Sequence, residues 1–142
     1  MAKWSKKPSR FVLVTLISCL VFDVSGLIFG LFYEGIFYDN LAHFMTSFAL
    51  VALATELAQQ RGVLPLLVPG SRALAAGMVV GLVGGGVWEV FEVIADFLFP
   101  VLIYNPPLDT VTDMVFGSLG GAFGVWRTAA YLNRKPSRKM PR

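Results

Sequence analysis

The apolar residues of this chain gather into four long runs, with polar and helix-breaking residues confined to short clusters between them. The runs extend from Phe11 to Phe32, Leu41 to Ala58, Ala73 to Phe99 and Asp109 to Leu132. A helix of about 20 residues crosses a bilayer core of about 30 Å, so each run has roughly spanning length. Between them stand Glu34-Gly35, then Gly62 with Pro65 and Pro69-Gly70-Ser71, then Pro100 and Asn105-Pro106-Pro107. Proline removes a backbone donor that lipid cannot replace, so these clusters read as loops outside the hydrocarbon. The third run is longer than needed and is expected to tilt or to end as an interfacial turn near Phe97 to Pro100. The pattern predicts an all-α membrane protein, a single bundle of four transmembrane helices over residues 11–132 with basic tails at 1–10 and 133–142.

Composition strengthens this reading. Of 142 residues, 56% are apolar and 15% charged, and the mean hydropathy is +0.67. Soluble domains carry about 45–50% apolar and about 25% charged residues, so an ordinary water-soluble domain is excluded. The single cysteine, Cys19, rules out a disulfide framework and a cysteine-based zinc centre. Leu16-Ile17-Ser18-Cys19 resembles a lipoprotein cleavage signal, but cleavage there would leave apolar Leu20-Val21-Phe22 where a polar linker belongs. The run continues past Asp23 to Phe32 without a small-residue cleavage site, so the first helix is expected to be retained.

The twelve basic residues set an orientation. Lys3, Lys6, Lys7 and Arg10 precede the first run, Arg61 and Arg72 flank the second loop, and Arg127, Arg134, Lys135, Arg138, Lys139 and Arg142 lie at or beyond the end of the last. The first and third loops have none. The positive-inside rule then places both termini and the middle loop in the cytoplasm of a multi-pass inner (plasma) membrane protein. The basic tails suit anionic lipid heads as partners, and nucleic acid is not expected.

The acids carry the chemistry. Asp39, Glu89, Glu92, Asp96, Asp109 and Asp113 fall in the outer half of this topology with His43, the only histidine. Asp39 and His43 are one turn apart, as are Asp109 and Asp113, while Glu89, Glu92 and Asp96 share a helical stripe. At 1.5 Å per residue, His43 and Asp113 each lie about 6 Å inward of their partners and Glu92 about 10 Å inward of Phe99, so three helices can bring these groups to one level. Gly77, Gly81 and Gly85 continue the Glu89 stripe, Gly117 and Gly121 that of Asp113, and Gly26 and Gly30 share a face with Asp23. Small residues at such intervals are read as helix-packing seams, which turn the acids into the bundle. The same glycine-rich faces suit a second copy or a partner in a membrane complex. Gly84-Gly85-Gly86 has no lysine after it and no acidic ribose partner, so no nucleotide loop is inferred.

A charge near the bilayer centre costs about 2.5 to 3.5 kcal/mol on insertion scales, and no lysine or arginine lies on the acidic side. The carboxylates must be protonated, solvated, or bound to a cation. Oxygen donors with one imidazole suit a divalent ion, Zn, Mn, Fe or Mg, with Asp39, His43, Glu89, Glu92, Asp96, Asp109 and Asp113 as candidate ligands. A metal-free proton or cation pathway and a hydrogen-bonded structural cluster are the alternatives. The enzymatic reading is a metal-dependent hydrolase or transferase acting on a lipid or lipid-linked substrate, with Glu89 or Glu92 as base. The transport reading needs a continuous polar path, and helices two and three offer few polar groups below His43 and Glu89 before Thr55 and Glu56. Asp109 is expected to cap helix four, and Glu56 to form an interfacial ion pair with Arg61.

The segments Tyr38-Asp39-Asn40-Leu41-Ala42-His43-Phe44, Trp88-Glu89-Val90-Phe91-Glu92 with Asp96, and Asp109-Thr110-Val111-Thr112-Asp113 with Gly117 to Gly121 resemble the YjdF-like bacterial membrane proteins. They are similar, more distantly, to the VanZ-like proteins through the Asp-x-x-x-His-Phe and Asp-x-x-x-Asp motifs. The likeness covers about residues 38–126. It implies a polytopic inner-membrane protein with motif positions at Asp39, His43, Glu89, Glu92, Asp109 and Asp113, and it implies no particular reaction.

Overall fold

A computed structural model describes residues 7–33, 36–65, 67–98 and 107–134. They form four helices, α1 (Arg10–Phe29), α2 (Ile36–Gln60), α3 (Ser71–Leu98) and α4 (Pro107–Arg134), with a 3-10 turn at Leu31–Tyr33 and no strand among the described residues. The first helix stops earlier than the apolar run. Gly30 enters the left-handed region at φ 68° and its N–H closes on Gly26 O, so the chain turns before Phe32. The helix of the second run begins at Ile36, five residues before Leu41, because polar Asp39 and Asn40 are accommodated inside it.

Three helices are long and apolar enough to cross a membrane: α1, α2 and the Ser71–Ala95 part of α3. The helix of the fourth run, α4, is less apolar, and its position gives the reason. It packs most extensively against both α2 and α3, while α1 leans mainly on α2. A helix enclosed by others needs fewer lipid-compatible side chains. Ser118, Ala122, Val125, Thr128, Ala129 and Leu132 of α4 are all buried. On peripheral α1 only Val12, Cys19 and Gly26 are buried, a stripe one residue wide that faces α2. Leu13, Ile17, Leu20 and Leu27 point outward from α1, and Val79, Val83, Val90 and Phe97 from α3, as a lipid-facing surface requires.

Glycine brings α4 close to both neighbours. A Cβ added at Gly77 would run into Gly121 O and Ala122 Cα, and one at Gly81 into Gly117 O. The pairs 77 with 121 and 81 with 117 run in opposite senses, so α3 and α4 are antiparallel. On the other side, a Cβ at Gly120 would strike Phe44 O and one at Gly124 would press on Phe48 O, so α2 and α4 are parallel. These contacts are backbone against backbone, the approach that small residues allow in membrane bundles. The Gly117 and Gly121 seam read from sequence is therefore real, and Gly120 and Gly124 form a second one.

α1 is held to α2 by side chains. Glu56, 1% exposed, accepts hydrogen bonds from Ser9 N–H (2.9 Å), Ser9 Oγ (2.7 Å) and Gln60 Nε2 (2.8 Å). The expected pairing with Arg61 is replaced by this clasp: Ser9 is the N-cap of α1, and its orphan donors are a better partner for a buried carboxylate than an exposed arginine one turn away. Towards the other end, the Tyr38 ring stacks on Phe22 at 4.3 Å and its hydroxyl donates to Phe22 O at 2.6 Å.

Alanine substitutions should separate these seams from open positions. Gly81→Ala and Gly120→Ala must push backbones apart and should cost about 1–3 kcal/mol. Gly84, with nothing within 4 Å of an added Cβ, should gain up to about 1 kcal/mol from helix propensity as alanine. Thermal melts in detergent would check this, and equal melting temperatures for all three variants would refute the seam assignment.

Candidate metal centre

Because α2 and α4 run parallel and α3 opposes them, the N-terminal ends of two helices meet the C-terminal end of a third. That junction gathers the acids. The first three turns of α2 carry Asp39 and His43, the last turns of α3 carry Glu89 and Glu92, and the second turn of α4 carries Asp113. Asp39 and Asp109 stand in first turns, where helix dipoles favour negative charge.

His43 is the hub. Its Nε2 lies 3.7 Å from Asp39 Oδ1 and 3.8 Å from Asp113 Oδ2. Both separations exceed hydrogen-bond length, so the three groups face one another without closing a direct bond. Two sets of potential ligand atoms arise, Asp39 with His43 and Asp113, and His43 with Glu89 and Glu92, the atoms of each lying within 4.8 Å of one another. Asp113 is 1% exposed and its Oδ1 is buried without a hydrogen-bond partner. Leaving a buried polar atom unmatched costs about 1–3 kcal/mol, so this oxygen points to something it would bind. Glu89 is buried, and Glu92 is oriented by Trp88, whose Nε1–H donates to Glu92 Oε1 at 2.7 Å. Asp113 is within electrostatic reach of Asp39, Glu89, Glu92 and Asp109. The chain has no lysine or arginine between Arg10 and Arg61 or between Arg72 and Arg127, so no basic side chain from these stretches offsets them.

Asp109 sits half-buried near Glu89 and His43 but belongs to neither triad. The expectation that it caps α4 is corrected: the helix begins at Pro107, so Asp109 is the third helical residue and Pro107 takes the first-turn position that suits proline. Asp96 lies on α3 one turn beyond Glu92, and its side chain is outside the described residues.

Two features were not read from sequence. Asn40, 6% exposed, has a buried Oδ1 without a hydrogen-bond partner near the N-terminal end of α2. Its position next to Asp39 was available as a signal, but a neutral amide gave no reason to single it out. Asp23 Oδ2 accepts from Thr46 Oγ1 at 3.1 Å and from Cys19 Sγ at 3.3 Å, one turn inward of His43. The Cys19 and Asp23 spacing of four was legible, whereas the partner Thr46 depends on how α1 meets α2. Further inward on α4, Ser47 Oγ donates to Gly117 O at 2.6 Å, and the glycine seams then close backbone on backbone. The donor set, carboxylate oxygens with one imidazole, suits a hard or borderline divalent ion.

The comparisons agree with the membrane character of the chain. An uncharacterized protein of Thermotoga maritima is 30% identical over 115 residues, which are 80% of this chain. The chain spans 58% of that relative's length. No solved structure matches the chain. The predicted membrane protein family DUF2238, to which the YjdF-like proteins belong, matches residues 5–134, from the first basic tail to the end of α4, and this chain is a member of it.

Proposed function

We propose that the outer cluster is a divalent-metal centre, for Zn, Mn, Fe or Mg, and that the protein is a metal-dependent hydrolase or transferase of the inner membrane acting on a lipid or lipid-linked substrate. The observation that carries the reading is that His43 stands in two triads with carboxylates from three different helices, the ligand atoms within 4.8 Å of one another. The unpartnered oxygen of buried Asp113 supports it. When bound, the ion would supply Lewis acidity to a phosphoryl or carbonyl oxygen and a lowered pKa to a coordinated water. Of the chain's own residues, Asp39, His43 and Asp113 would hold the ion, and Glu89 or Glu92 would take the proton from the attacking water. Trp88 would keep Glu92 in place for that role. The backbone contacts of Gly77, Gly81, Gly120 and Gly124 argue against a transport path inward along α4.

The orientation is part of the proposal. α4 crosses with the other three helices because it is packed between α2 and α3, and the positive-inside rule puts both termini and the loop between α2 and α3 in the cytoplasm. The centre then lies near the outer surface, within reach of lipid head groups.

Metal content tests the chemistry. Purified protein should carry a divalent ion, His43→Ala should lose it, and Glu56→Gln, at the opposite end of the bundle, should keep it. Acidification should release the ion, because these ligands bind deprotonated. A metal-free wild type, prepared without chelator, would overturn the proposal.

Topology is tested separately in a Cys19→Ser background. An impermeant thiol reagent added to intact cells should label Asn105→Cys and leave Ser71→Cys unlabelled. Labelling of the second would reverse the orientation.

A further inference from the structure

We infer that Asn40 supplies a further ligand to the metal centre proposed above, on which this reading rests, and that its neutral amide oxygen makes Mn(II) or Mg(II) the preferred class of ion. The seam between α2 and α4 fixes where this residue faces. The backbone of Phe44 lies against Gly120, and Ser47 Oγ donates to Gly117 O, so both residues mark the face of α2 turned to α4. Asn40 precedes them by four and seven residues and shares that face. On α4, Asp113 precedes Gly117, Gly120 and Gly124 by four, seven and eleven residues and shares the face turned to α2. The two helices run parallel, so one turn back from the contact of Phe44 with Gly120 sets Asn40 opposite the turn of α4 between Asp113 and Gly117. Asn40 is 6% exposed and Asp113 1% exposed, as side chains covered by the opposite helix must be.

Each of these two side chains has a buried oxygen, Asn40 Oδ1 and Asp113 Oδ1, without a hydrogen-bond partner. An amide oxygen and an ionised carboxylate only accept, so neither can satisfy the other. Asp39 and His43 flank Asn40 on α2, and His43 Nε2 lies 3.7 Å from Asp39 Oδ1 and 3.8 Å from Asp113 Oδ2. A cation held by that triad answers both the unmatched oxygens and the negative charge of Asp39 and Asp113, to which Asp109, Glu89 and Glu92 add. A water molecule would answer the oxygens alone. Asparagine is the side chain that contributes an oxygen there without a further charge. With it the donor set becomes three oxygens and one imidazole nitrogen. Carbonyl oxygens suit Mg, Ca and Mn, whereas zinc takes its protein ligands from cysteine, histidine and carboxylates. Ca(II) needs about six to eight oxygens and gains little from an imidazole, which leaves Mn(II) and Mg(II).

The test is equilibrium dialysis of metal-stripped full-length protein in detergent against Mn(II) and, separately, Zn(II), read by elemental analysis. The wild type should bind Mn(II). Asn40→Leu, close in shape but without the oxygen, should weaken Mn(II) binding by about 10–100-fold, as loss of even an outer-shell partner does, and Zn(II) binding by much less. Asn40→Asp keeps an oxygen at the same place and should hold Mn(II) at least as tightly as the wild type. Unchanged Mn(II) binding in Asn40→Leu would overturn the inference and leave the metal centre intact. Equal loss of the two ions in that variant would also overturn it, because an amide that only positions Asp113 through its N–H serves any metal alike. A wild type that takes Zn(II) and not Mn(II) would overturn the ion preference, and one that takes neither would overturn the metal centre as well. Thermal melts check folding. Where Asn40→Leu fails to fold, Asn40→Asp decides: retained Mn(II) supports the ligand role and lost Mn(II) overturns it.

Discussion

The structure depends on how closely α4 approaches its neighbours. Glycines at 77, 81, 120, 121 and 124 let backbone meet backbone on two sides of one helix. In a membrane, where lipid tails are as apolar as leucine, there is no hydrophobic force to draw helices together, and close packing must supply the attraction. Two such seams fix α4 between α2 and α3, and with it the directions of all three. Parallel α2 and α4 against antiparallel α3 then leave one end of the bundle where two N-termini and one C-terminus converge. Asp39, His43, Glu89, Glu92 and Asp113 lie at that end because the seams put them there.

The seams and the acids also support each other energetically. Asp113 is 1% exposed on the helix that is gripped hardest, so its carboxylate cannot swing out to water. A site made of such a residue is preorganised: its donors are held in place before any ligand arrives, and binding need not order them. His43, partly buried on α2, reaches both α3 and α4 from a single position. Trp88 performs a similar service for Glu92 by spending its only donor on one carboxylate oxygen.

Much of this was legible in the chain. Spacing alone put Asp39 with His43, Glu89 with Glu92, and Asp113 with Gly117 and Gly121 on common faces, because helical periodicity is fixed by backbone geometry. Which faces meet was less accessible. Gly120 and Gly124 look like ordinary members of a glycine-rich stretch until α2 is seen against them. Glu56 was assigned to Arg61 because sequence proximity favours a pair one turn apart, whereas the donors of Ser9, 47 residues away, win by being orphaned at a helix start. The lower apolar content of α4 has a related cause. Apolar content reports what faces lipid, and α4 is mostly enclosed.

The Glu56 clasp bears on how the chain enters the bilayer. α1 has a narrow buried stripe and only modest packing on α2, so on its own it is a free apolar rod whose Ser9 cap lacks its carboxylate partner. Its cap partner is near the far end of the next helix, and is synthesised only after α2 is almost complete. α1 therefore cannot settle in its final position as it emerges from the ribosome. The first two helices become a unit when residue 56 reaches the start of α1, and the carboxylate that would be a burden to α2 alone is relieved at the same moment. The two helices assemble as a hairpin with a latch, and the latch closes last.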